Sequence, residues 1–75
     1  MTAKDAYIVL KNTKPNYEAT RCVEYKMIYV FQINNGRTDG SLCSVHKLTG
    51  KVKGFTPFDI SVEEYRAGKE IKNFH

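Results

Sequence analysis

The sequence predicts an α+β domain: an N-terminal helix packed on a three- to four-stranded antiparallel β-meander, with a short C-terminal helix. Three observations lead there. Apolar residues near the start recur with the period of a helix, the middle of the chain follows the period of strands, and a helix-capping pattern stands near the end. At 75 residues the chain is expected to form a single domain over 1–75. A chain of this size buries roughly 60% of its extended surface, so its core is thin.

Thr2 and Asp5 have the spacing of an N-cap hydroxyl with an acid three residues later. Ala3, Ala6, Tyr7 and Leu10 then fall on one helical face, which Ile8 and Val9 widen. Asn12, Thr13 and Pro15 end the pattern, which predicts a helix over 3–12. Beyond Pro15 the period changes. Residues 19–25 alternate, and residues 27–33 are apolar at nearly every position, as in a central strand covered on both faces. Residues 34–40 read as a loop with Asn35-Gly36 as its turn dipeptide. A third strand is expected at 42–48 and a fourth near 51–55, joined at Thr49-Gly50, where Gly50 can take a positive φ. Ser61-Val62-Glu63-Glu64 has the capping-box pattern, flanked by Ile60 and Tyr65 as a hydrophobic staple. Gly68 is placed to end this helix, expected over 62–67, in the left-handed conformation, and Phe55, Pro57 and Phe58, which lead into it, are expected to lock it onto the sheet.

Composition narrows the function classes. The net charge is +4, but the twelve Lys and Arg residues form no run, and ordinary solvation accounts for most of them. No basic segment followed by an apolar one opens the chain, and no apolar run approaches the ~18 residues of a membrane span. A cytoplasmic protein without membrane association is the expectation. Cys22 and Cys43 fall on the first and third strands, roughly 9–10 Å apart at two inter-strand spacings, beyond the reach of a disulfide. Free thiols are expected.

Two resemblances attach to these residues. The leading helix, the Pro-containing turn and a strand-turn-strand through Ser44-Val45-His46-Lys47-Leu48-Thr49-Gly50-Lys51-Val52 resemble the PepSY-type unit over about the first 54 residues. In that family a helix precedes a small antiparallel sheet. His46-Lys47 stands where the family usually has an aspartate. PepSY-type domains are mostly secreted and associated with restraining peptidases, whereas this chain shows no export signal. Over nearly its whole length the chain also resembles small uncharacterised proteins of phages and prophages in low-GC Gram-positive bacteria. That resemblance implies no activity and no catalytic residues.

Residues able to carry chemistry are few. Cys43 and His46 have the spacing of half a zinc site, with Cys22 and His75 as the remaining soft ligands. Residues three apart on a strand point to opposite faces, so the pair can neither chelate one ion nor act as nucleophile and base. Glu63 and Glu64 suit a helix first turn for capping and dipole reasons alone. No phosphate-binding glycine loop stands in the sequence, and no enzyme, metal or cofactor is expected. Two features remain. The second strand presents apolar side chains to both faces, with Tyr29 and Phe31 expected beneath the first helix, and Ile28 and Val30 on a face left to a protein partner or a second copy; strand parity alone leaves the reverse assignment of the two faces open. His46, Lys47, Lys51 and Lys53 surround the Thr-Gly turn, and a nucleic-acid contact there is the alternative.

Overall fold

The computed structural model describes residues 1–34 and 39–75. Along the chain run α1 (Ala3–Thr13), β1 (Glu18–Glu24), β2 (Ile28–Asn34), β3 (Asp39–His46), β4 (Val52–Gly54), a 3-10 turn (Pro57–Asp59), α2 (Val62–Arg66) and β5 (Lys69–Ile71). The protein is therefore α+β, with an N-terminal helix, an antiparallel sheet and a short C-terminal helix. The Asn35-Gly36 dipeptide lies outside the described residues.

α1 begins where its cap dictates. Asp5 N–H donates to Thr2 Oγ1 at 3.1 Å and Thr2 N–H donates to Asp5 Oδ2 at 3.0 Å, a reciprocal box. Ala3, Ala6 and Leu10 form its buried stripe, and the two alanines let the helix approach the sheet closely. Ile8 faces outward and does not widen that stripe. Lys11 secures the turn into β1, its ammonium donating to the carbonyls of Pro15 (3.0 Å) and Tyr17 (2.9 Å).

The sheet has five strands in the order β4-β3-β2-β1-β5. Phe31 sits at its centre, paired with Cys22 on one side and Cys43 on the other. Both cysteines are buried and free, on either side of the strand that separates them. Tyr29, Phe31, Ile33, Cys43 and Val45 face α1. Tyr7 meets Phe31 at a ring-centroid distance of 5.8 Å, so Tyr29 and Phe31 do lie beneath the helix. Phe74 closes this core against Tyr7 of α1 and Phe31 of the sheet, only 2% exposed.

β4 and β5 lie at opposite edges, so residues 55–68 must cross the sheet between them. This crossing straps the second face. Phe55 N–H donates to Leu42 O at 3.0 Å, turning the chain off β4 and placing Phe55 against Val30 and Tyr25. The Tyr25 ring stacks between Phe55 and Tyr65, with centroids 6.1 and 6.0 Å away. The expectation of a bare second face is thereby corrected. Val30 is only 4% exposed and is unavailable to a partner of the folded chain.

Two glycines are dictated by geometry, for different reasons. Gly50 has a φ of 71° and closes the β3–β4 connection in the left-handed region. Gly68 does not have a positive φ, contrary to expectation. It is needed for space: a Cβ there would lie 2.5 Å from Cε1 of Tyr25 and 2.8 Å from Cγ1 of Val23.

In α2, Ser61 Oγ accepts from Glu64 N–H at 3.1 Å. The helix has only five residues, too few to stand without its cap and its packing. Ser61→Ala should cost about 0.5–2 kcal/mol in urea denaturation. Val62→Ala, at an exposed position, should change little. Equal midpoints for wild type and Ser61→Ala would show that the cap contributes nothing.

Candidate functional site

Strand register gathers the polar chemistry on the face opposite α1. His46 lies opposite Ile28, and Lys53 lies opposite Ser44, the residue paired with Val30. His46 N–H donates to Lys51 O at 2.9 Å, which brings Lys51 alongside. The side chains singled out separately as protein and nucleic-acid contacts thus share one face, Lys47 excepted, and one of those on it is buried. Val30 is covered, as described above. Lys47 belongs to the other face.

Between the β3–β4 hairpin and the strap opens a cavity of about 160 Å³. Ile28, Phe55 and Ile60 give it an apolar side, and His46, Lys51 and Lys53 give it a basic one. His46 Nδ1 accepts from the N–H groups of Leu48 (3.2 Å) and Thr49 (3.3 Å). In the neutral imidazole the proton therefore resides on Nε2, leaving a donor. The ion pairs formed among the described residues are Lys11–Glu18, Arg21–Glu70 and Lys47–Glu24, none of which involves Lys51 or Lys53. Asp59 stands on the strap side, where its Oδ2 accepts from Thr56 N–H at 2.9 Å.

Large apolar side chains stand in water beside this cavity. Phe58 is 97% exposed and Leu48 is 80% exposed. Each immediately precedes a cavity residue, Asp59 on the strap and Thr49 on the hairpin, so the two lie on chain segments at either side of the opening. The expectation that Phe58 locks the second helix onto the sheet is corrected, since only Phe55 is buried there, and the sequence marks Leu48 simply as the end of the third strand. The available signal was a phenylalanine within Thr56-Pro57-Phe58-Asp59, a turn whose backbone can bury nothing of its own.

Lys47 is committed elsewhere. Its ammonium donates to Glu24 Oε2 at 2.6 Å and lies 4.9 Å from the centroid of the Tyr29 ring. The lysine beside it holds the Glu24 carboxyl below its ordinary value of 4.5. Since folding lowers this pKa, the pair stabilises the native state above the ordinary value, and that contribution is lost as pH falls through the lowered one. Glu24→Gln should therefore cost about 0.5–1 kcal/mol at neutral pH. Its denaturation midpoint should converge on that of wild type in acid. A gap independent of pH would show that the charge contributes nothing.

Cys43 belongs to the cluster facing α1, whereas His46 lines the cavity on the other face. Burial pushes the Cys22 thiol up to about 12 and raises that of Cys43 as well. At neutral pH neither supplies an appreciable amount of thiolate. Among the described residues no group of three or more His, Cys, Asp or Glu side chains is placed to hold a metal ion. No helix among them is long and apolar enough to cross a membrane.

Fold and site together define a small strapped α+β domain with one basic and apolar face. Comparison with protein-family models, with curated proteins and with solved structures returned no match.

Proposed function

We propose that this protein is a non-enzymatic protein-interaction module of the cytoplasm that binds an acidic partner through the face opposite α1. The observation that carries this is Phe58, a phenylalanine almost wholly in water on the strap, next in the chain to Asp59, which lines a cavity with Lys51 and Lys53, two lysines that form no ion pair among the described residues. Exposing a phenyl ring forgoes about 1.5–3 kcal/mol of burial, which contact with a partner recovers. Aromatic anchors ringed by charge are the usual form of such contacts. Two copies joined by this face would bring Lys51 and Lys53 of each against the other, so a different, acidic chain suits it better than a second copy. The resemblance to phage and prophage proteins suggests a host protein as that partner.

The test is affinity capture from host lysate with wild type, Phe58→Ser and Lys53→Glu, each checked for an unchanged thermal midpoint. A discrete partner retained by wild type and lost by both variants supports the proposal. Binding of mixed-sequence DNA or RNA with a steep salt dependence, insensitive to Phe58→Ser, would support a nucleic-acid contact instead.

A further inference from the structure

Resting on the protein-interaction function above, we infer what the cavity itself takes from the partner: one Asp or Glu carboxylate next to an apolar side chain. The hairpin side of the cavity offers donors. Lysine ammonium groups have no acceptor, and His46 has used Nδ1 on two backbone N–H groups, so its neutral ring presents Nε2–H. Such a wall selects an acceptor, and with two lysines it selects an anion.

The strap side sets the charge and the shape. Asp59 offsets one of the two lysines, leaving a lining of formal charge +1 with His46 neutral. One carboxylate balances that charge, whereas a phosphate dianion exceeds it. A nucleic-acid strand carries a charge every ~3.4 Å and needs a track of cations, which a small cavity with an apolar half and two lysines does not provide. Ile28, Phe55 and Ile60 supply surface for one apolar group. The volume of about 160 Å³ is comparable to engineered cavities of about 150 Å³ that admit a benzene-sized group. The cavity therefore fits one apolar side chain with an acid beside it, between the two flanking anchors Leu48 and Phe58.

The experiment is an amide-resonance NMR titration of the folded chain at low salt with three probes. These are an acetylated and amidated peptide with one leucine beside one glutamate, the same peptide with glutamine in place of glutamate, and inorganic phosphate. The glutamate peptide should shift Ile28, His46, Lys51 and Lys53 saturably, and about fivefold more tightly than the glutamine peptide, the worth of one partly exposed charge pair. Lys51→Met and Lys53→Met, both at exposed positions and expected to fold, should each weaken it by a similar factor. Equal affinity for glutamate and glutamine peptides, tighter binding of phosphate, or shifts confined to other residues would overturn the inference. If those results appear while partner capture still depends on Phe58, the interaction module stands and only the carboxylate site falls. Loss of both would remove the module as well.

Discussion

Phe74→Ala should cost about 3–5 kcal/mol, enough to bring a small domain close to unfolding at room temperature. Phe74 is almost wholly buried and meets Tyr7 and Phe31 edge-on, with centroids 5.4 and 5.6 Å away. It holds α1 against the sheet from the side that β5 brings round. Its removal leaves a cavity where the helix, the central strand and the C-terminal segment meet. Urea denaturation measures the loss, and Phe74→Leu should recover much of it by refilling the space. A midpoint unchanged in Phe74→Ala would mean that residues beyond β5 are not docked.

Gly68→Ala should cost about 1–3 kcal/mol, because the added methyl must displace a ring already held between two others. Tyr25 cannot yield cheaply: Phe55 and Tyr65 stack on its faces. Gly54→Ala is the control, since a Cβ there meets nothing within 4 Å. Comparison with asparagine separates the two reasons a glycine could stand at this position. A left-handed helix terminus tolerates asparagine better than alanine. A position short of space tolerates it less. Gly68→Asn should therefore be the worse substitution, and the reverse order would restore the left-handed reading.

Much of the framework was legible because its signals are local. Thr2 and Asp5 placed the start of α1, and Gly50 placed the left-handed turn of the hairpin. Counting strands placed the two cysteines on either side of β2, and parity grouped Tyr29 with Phe31 on one face; that this is the face under the helix is shown by the structure, since alternation alone does not say which face a helix covers. β5 was not legible. Lys69-Glu70-Ile71 has two charges in three residues and no alternation, and it becomes a strand only by pairing with β1, far away in sequence. Missing that strand meant missing the strap. Without a strand at the far edge, nothing obliges residues 55–68 to cross the second face, so Val30 appeared free. Lys47 is a different case, since its neighbours held the answer. Alternation along β3 puts His46 on the cavity face and sends Lys47 to the side of Glu24 and Tyr29. Grouping the basic residues by sequence proximity merged two faces that the pleat keeps apart.

The face between Leu48 and Phe58 is the centre of the functional account, and site-specific photo-crosslinking tests it most directly. A benzophenone side chain would replace Phe58 in one variant and Leu48 in a second. A third would carry it at Ile8, which is exposed on the outer side of α1. Irradiated in the host cell, the variants at 58 and 48 should yield the same discrete protein adduct, diminished by Lys53→Glu, and the variant at 8 should not. Adducts removed by nuclease, a crosslinked second copy of this chain, or equal yields from all three positions would contradict an acidic protein partner at this face.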